Sequence, residues 1–366
     1  MITLLPSTKT LICIGSGGVG KTTMAASIGV GQASSGKKVL VLTIDPSLRL
    51  AQALGIKTDG ELHQVNLASD SKGELWSCII NHKKTFEWFI RSAADKDSDD
   101  TSGRANIEAL LQNKLYQQLS GRLSGSQEFT SLISLYRFVS SNKFDLVILD
   151  TPPSQHTWNF LRAPEKISAL FNEGVASWFR QNNDQPHTKK SVLKKMFNLK
   201  ILSYGTTQVL KALEVLTGSY FMKELSAFFE AVQKWQGPLE NYVMSCHRLL
   251  ISAETEFVLV TALDSSRITE AQKLSREIQK QGYRLSSVII NRIPSWTHAQ
   301  KNAASNIRSP RVNELIKYYL SLENDLQSRL KQLRSSLKVY KCFELRQNSE
   351  NVKDLQKTYN NISSAD

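Results

Sequence analysis

The chain has 366 residues, more than one core usually supports, with 41% hydrophobic and 22% charged residues, the values of an ordinary globular protein. No stretch approaches the roughly 18 apolar residues that cross a bilayer, and Cys13, Cys78, Cys246 and Cys342 stand singly, which tells against a spanning helix, a disulfide scaffold and a C-x-x-C zinc or redox site. The formal charge of +13, from 46 Lys+Arg against 33 Asp+Glu, favours an anionic partner (nucleotide, nucleic acid, membrane surface or acidic protein) without choosing among them, and is equally the charge of a solvated, lysine-rich surface.

At the start of the chain, MITLLPSTKTLICIGSGG reaches a first core strand almost at once. No room is left for a charged and apolar leader with a cleavage site, so the expectation is a cytoplasmic protein whose cysteines are buried thiols in a reducing compartment. The apolar run Thr10 to Ile14 opens into GSGGVGKT at Gly15 to Thr22, and an Ala-rich helical stretch follows from Thr23 to Ala33. These eight residues fill each fixed position of G-x-x-x-x-G-K-[ST], in the strand–loop–helix setting that a phosphate loop needs. Gly15, Ser16, Gly17, Gly18, Val19, Gly20, Lys21, Thr22 and Thr23 are therefore the candidate nucleotide-binding residues. Glycines let successive backbone N–H groups turn towards phosphates, Lys21 neutralises the β and γ oxygens, and the Thr22 hydroxyl can ligate Mg²⁺.

Gly15, Gly17 and Gly20 also spell G-x-G-x-x-G, and Asp45 ends the next strand about 25 residues on, near the place of a ribose-binding acid in dinucleotide folds. A dinucleotide fold requires neither Lys21-Thr22 nor a second acidic strand end at Asp150, and both favour a nucleoside triphosphate.

Lys37 to Asp45, Phe144 to Asp150, Phe257 to Ala262 and Ser287 to Asn291 are short apolar runs of the kind that form parallel strands covered on both faces. Helical periods lie between them, such as Arg267 to Gln281, which ends at Gly282. The alternation predicts an α/β protein with a doubly wound, mostly parallel sheet. Its functional residues are expected at the carboxyl ends of strands, where the phosphate loop, Asp45 and Asp150 all fall. Asp45 is placed to orient water or to bind a metal's hydration shell, or to cap a helix beginning near Leu48. Asp150, followed by Thr151-Pro152-Pro153, has the look of a Walker-B carboxylate that reaches Mg²⁺ through water, or of a simple cap or turn.

Two segments break the alternation. Asp95 to Arg104 reads as a polar loop, followed by helical sequence from Asn106 to Leu123. From Lys166 to Ser252 the chain reads almost wholly helical, giving a phosphate-loop core of 1–165 and 253–366 with a helical insertion at 166–252. Within that insertion Val192, Met196 and Leu199 form a stripe among Lys189, Lys190, Lys194 and Lys195, suited to a neighbouring helix, a membrane or an acidic partner. Past a loop-rich stretch, Arg292 to Pro310, a long helix is expected from Val312 to about Leu337, with Val312, Leu315, Tyr318, Tyr319, Leu322 and Leu326 on a face that packs on the core or on a second subunit. A last strand is expected at Lys338 to Phe343, then a polar tail, Gln347 to Asp366, frayed at its end.

GGVGKTT, then TIDPS, then DTPPSQHTWNFLRAP, then a helical insertion, then SVIINR: this order resembles the ArsA-like ATPases, which include arsenite-efflux ATPases and factors that target tail-anchored membrane proteins. They share a deviant phosphate-loop fold with MinD, ParA and nitrogenase iron protein. The resemblance implies a Mg²⁺-dependent ATPase that works as a dimer on a protein or anion client. It makes Asp45 the switch I acid that positions water, Asp150 to His156 switch II, and Asn291 the adenine-recognising amide, which is otherwise a turn residue. The chain departs from the family in three ways. Ser16 stands where the deviant loop carries a second lysine, which points to pairing with a lysine-bearing paralogue, as an alternative to a homodimer, in a bacterial branch of the family. The paired zinc cysteines of the targeting factors are missing, so no zinc is expected. The chain has five Met, few for a methionine-lined client groove, and Trp178, Phe179, Phe228, Phe229 and Trp235 suit a groove or a helical core. A ParA- or MinD-like positioning ATPase on DNA or membrane, and a regulatory subunit that binds nucleotide with little hydrolysis, are the rival readings. The insertion after DTPP tells against nucleic acid.

Overall fold

The structure is a computed structural model that describes residues 2–44, 48–95, 127–151, 236–293, 309–333, 337–345 and 351–364. Its strands are β1 (Thr10–Gly15), β2 (Lys38–Thr43), β3 (His63–Val65), β4 (Glu74–Ile79), β5 (Leu146–Asp150), β6 (Thr255–Ala262), β7 (Leu285–Ile293), β8 (Lys338–Phe343) and β9 (Ile362–Ser364). They form one sheet of order β3-β4-β2-β5-β1-β6-β7-β8-β9, parallel throughout except for β3 and β9, the short antiparallel strands at its two edges. Leu11, Cys13, Val39, Val41, Ile148 and Val260 belong to the core on one face. Their strand neighbours Ile12, Ile14, Leu40, Leu42 and Leu149 are also fully buried. Burial on both faces is why these strands read as continuous apolar runs.

The chain leaves β1 for β2, which lies beyond β5 on one side, while β6, β7 and β8 build out on the other. The loop after β1 therefore sits at the topological switch point, where the ends of neighbouring strands open a crevice for a ligand.

Helix α1 (Lys21–Ser34) is buried along almost its whole circumference. Its small residues make that possible: a Cβ on Gly29 would lie 2.5 Å from Val41 Cγ2 in the sheet, and one on Gly31 would lie 2.2 Å from the ring of Tyr359. The tail, expected to be polar and frayed at its end, folds over its described residues into a terminal helix (Val352–Asn360) and the edge strand β9. Asn351 caps this helix by accepting from Asp354 N at 3.0 Å, and Leu355 and Tyr359 give it an apolar face buried with α1. The physical reason was hidden by the polar composition of the tail, because two well-spaced apolar anchors suffice for a nine-residue helix.

The other helices, in chain order, are α2 (Leu48–Leu54), α3 (His82–Asp95), α4 (Gln127–Ser140), α5 (Gln236–Ile251), α6 (Ser265–Lys280) and α7 (Pro310–Leu333), so the terminal helix is α8. Asp264 caps α6 by accepting from Ser266 N and Arg267 N, and Gly282, at φ 79°, follows its end. On helix α7, Val312, Leu315 and Tyr318, expected on a face that packs on the core or on a second subunit, are 38%, 47% and 52% exposed, so these three do not pack on the core of this chain. Beneath the sheet, Glu256 at the start of β6 is buried and accepts from Leu5 N at 3.0 Å and from the Thr8 hydroxyl, which ties the segment before β1 to the core.

The chain divides into two compact units: Met1–His82, Gln127–Arg162 and Cys246–Asp366 make one, and Lys83–Ser126 with Ala163–Ser245 make the other. The first holds the sheet. In the second, among the described residues, Phe89 meets Tyr242 edge-on with ring centroids 5.1 Å apart, and Phe86 lies 6.2 Å from Phe89, an aromatic core built by α3 and α5. The expected loop at 95–104, the helix at 106–123, the stripe around Val192, the aromatics from Trp178 to Trp235 and the segment 294–308 lie almost wholly outside the described residues. No described helix is long and apolar enough to cross a membrane.

Candidate functional site

The loop between β1 and α1 has a backbone that side chains would obstruct. Gly18 and Gly20 are left-handed, at φ 77° and 88°, and Gly20 is the N-cap of α1. A Cβ on Gly15 would lie 2.1 Å from Val260 O, and one on Gly20 would lie 2.4 Å from Asn291 Nδ2. The glycines thus let the loop nest against β6 and β7 while the N-terminus of α1 points out of the sheet, and backbone N–H groups with a helix dipole make such a terminus attractive to anions. Lys21 is buried, and its Nζ donates to Ser16 O at 3.2 Å, so the ammonium lies along the loop itself.

Asp150, at the end of β5, is the second part. Its Oδ2 accepts from Thr22 Oγ1 at 2.6 Å and from Thr43 Oγ1 at 3.0 Å. Parallel register produces this convergence, since Asp150 lies level with Cys13 on β1 and with Thr43 on β2. Burial pushes the Cys13 thiol far up; the Asp150 charge adds to that rise, and Lys21 opposes it. Thr151 Oγ1 then donates to Cys13 O at 2.7 Å, holding the end of β5 against β1.

Asn291 is the third part. It is buried at the end of β7, level with Ala262 on β6, and its Nδ2 donates to Val19 O at 2.8 Å. The opposite amide orientation would set two oxygens against each other, so the hydrogen-bond chemistry fixes which end faces the loop. The next residue, Arg292, is left-handed at φ 58°, and the β7–β8 register shifts between Ile290 and Ile293.

The structure thus brings together Gly15 to Thr22, Asp150 and Asn291, while Asp45 lies outside the described residues. The hard oxygen donors Thr22 Oγ1 and Asp150 Oδ2, side by side beneath a loop that admits no Cβ at Gly15 or Gly20, fit a Mg²⁺ ion bound with phosphates. Sequence reasoning missed Thr43. Its signal was its place two residues before Asp45 on a strand ending level with Asp150, which becomes readable only when β2 and β5 are known to be neighbours.

A phosphate loop, an acid under its threonine and a strand-end amide on a sheet of this order narrow the choice, and one comparison decides it: the sequence profile of the anion-transporting (ArsA) ATPases matches residues 8–323. The chain belongs to that family. Curated relatives include ATPase GET3 of Candida glabrata, 29% identical over 189 residues that make up 47% of this chain and 52% of that protein. ATPase GET3B of Arabidopsis thaliana is 27% identical over 291 residues, 76% of this chain and 62% of the relative. The ATPase ASNA1 homolog of Babesia bovis is 29% identical over 158 residues, 43% of this chain and 39% of the relative. The match to the first of these spans about half the relative's length. As an ArsA-family member the chain carries the features of a nucleotide-binding phosphate-loop ATPase on an α/β sheet.

Proposed function

We propose that this chain is a Mg²⁺-dependent ATP-binding and ATP-hydrolysing switch, in which loss of the γ-phosphate rearranges a dimer acting on a protein or anion client. The observation that carries this reading is the 2.6 Å contact of Thr22 Oγ1 with Asp150 Oδ2 at the mouth of the loop. Gly15 to Thr23 would cradle the phosphates, and Lys21, released from Ser16 O, would meet the β and γ oxygens. Thr22 would hold Mg²⁺ directly and Asp150 through water; the ion supplies charge neutralisation on the phosphates when bound. Asp45 would orient the attacking water. Asn291, with its NH₂ committed to Val19, offers its carbonyl oxygen to the exocyclic amine of adenine.

Switching is supported by the order of these residues in sequence. Asp45 follows β2 and Pro152 follows β5, neighbouring strands whose ends meet at Thr43 and Asp150, so both segments would respond when the γ-phosphate departs. The helical insertion at 166–252 is the part that would move and meet the client, in the cytoplasm and without zinc. Ser16, buried in the loop, leaves no lysine at that position to reach a partner's nucleotide, which supports a pairing with a lysine-bearing paralogue as the alternative to a homodimer. The test is ATP turnover by the purified chain together with its mass by light scattering, with and without Mg²⁺·ATP, beside Lys21→Ala. Lys21-dependent turnover in a nucleotide-stabilised homodimer supports a self-sufficient switch. Tight binding with negligible turnover points to the paralogue, and absence of ATP binding contradicts the reading.

A further inference from the structure

We infer that Asn291 is a positioning residue for the phosphate loop: by holding the Val19 carbonyl it aims the Gly20 N–H at the phosphates, whatever base the nucleotide carries. This rests on the reading of Gly15 to Thr22 as the phosphate cradle and adds to it a residue 272 positions away in sequence.

The argument is one of peptide geometry. Val19 O and Gly20 N–H belong to the same peptide unit, which is trans and planar, so they point in opposite directions. Asn291 Nδ2 takes hold of Val19 O at 2.8 Å from the β7 side. The Gly20 N–H is thereby turned away from Asn291, the side on which the cradle reading puts the phosphates. Without that anchor the unit is free to turn, because Gly20 on its far side is a left-handed glycine, the residue type that resists rotation least. A turned unit would present an oxygen to the phosphates in place of a donor.

Two features are built around this contact. Gly20 has no room for a Cβ because Asn291 Nδ2 would lie 2.4 Å from it. The left-handed Arg292 and the register shift beside it bend β7 at the residue that must reach the loop. A residue that only reads the base needs neither.

Tripolyphosphate separates the two roles, since it carries the phosphates and no base. Its affinity and that of ATP are measured by titration calorimetry on the full chain as wild type, Asn291→Asp, Asn291→Ala and Lys21→Ala, with circular dichroism to verify folding. Asn291→Asp is isosteric but sets a carboxylate oxygen against Val19 O; Asn291→Ala removes the donor without adding charge. Both are expected to weaken tripolyphosphate and ATP by similar factors, roughly tenfold for Asn291→Ala and more for Asn291→Asp. Tripolyphosphate binding at wild-type strength in both variants, whether or not ATP weakens, overturns the inference. Lys21→Ala separates the failures: if it binds tripolyphosphate like wild type, the cradle reading is wrong, and if it alone weakens, only the role of Asn291 is wrong.

Discussion

Replacing Gly31 by alanine sets two effects against each other. Gly31 lies within α1, where helix propensity alone makes Gly→Ala stabilising by about 1 kcal/mol. The structure gives the opposite sign. The new Cβ would lie 2.2 to 2.4 Å from three atoms of the Tyr359 ring, so that ring and α8 must retreat by about an ångström. Tyr359 is buried, and its hydroxyl accepts from Gln32 Nε2 at 3.2 Å, so the retreat disturbs that bond as well as the packing against α1. Overpacking costs about 1–3 kcal/mol; three ring atoms within 2.4 Å put this site in the upper part of that range, so the clash outweighs propensity and leaves a net destabilisation of up to about 2 kcal/mol. Urea unfolding of Gly31→Ala, Tyr359→Ala and the double variant measures this as a cycle. In the Tyr359→Ala background the clash is gone, so the second substitution should become stabilising. A Gly31→Ala chain more stable than wild type, or the same change in both backgrounds, would refute the docking of α8 on α1.

Removing the cap in Asp264→Ala should cost about 1 kcal/mol in urea unfolding, because two N–H groups of α6 lose their acceptor. The hydrogen bonds of Ser266 and the Arg267 N–H hold the Asp264 carboxyl below its usual range, so its contribution is present above the unfolded value, near pH 3.8, and is lost as pH falls through the lower folded value. Burial pushes the Cys342 thiol up to about 12 and raises Cys13 and Cys246 as well. The folded chain therefore keeps protons that the unfolded chain releases, and stability should fall as pH rises beyond about 8.5. A thiol reagent at neutral pH should react no faster than the chain unfolds; rapid labelling would contradict the burial of all four cysteines. Asp45→Asn should leave ATP affinity within a few-fold and slow turnover at least about a hundredfold; lost binding would assign Asp45 to the metal or the fold instead.

Much of the site was legible because its chemistry is local in sequence. Gly15 to Thr22 declares itself through one loop, and Asp150 through an acid closing an apolar run. Partners fixed by topology were not legible. Thr43 meets Asp150 only because β2 and β5 are neighbours, and Asn291 meets Val19 only because β7 lies two strands from β1. Among the strands, those buried on both faces stood out as apolar runs. β4 (ELWSCI) alternates buried and half-buried positions before its buried end, and β3 and β9 are three-residue edges, too short for any period to register. The helix in the tail was not legible because its two anchors, Leu355 and Tyr359, are diluted by polar residues.

The most direct test of the central claim is ATP affinity by titration calorimetry with and without Mg²⁺, in wild type and in Asp150→Asn. Mg²⁺ should tighten ATP binding in the wild type and fail to do so in Asp150→Asn, while both bind Mg²⁺-free ATP alike. An Asp150→Asn chain whose ATP affinity still rises with Mg²⁺ as in the wild type would contradict a Mg²⁺ site formed by Thr22 and Asp150.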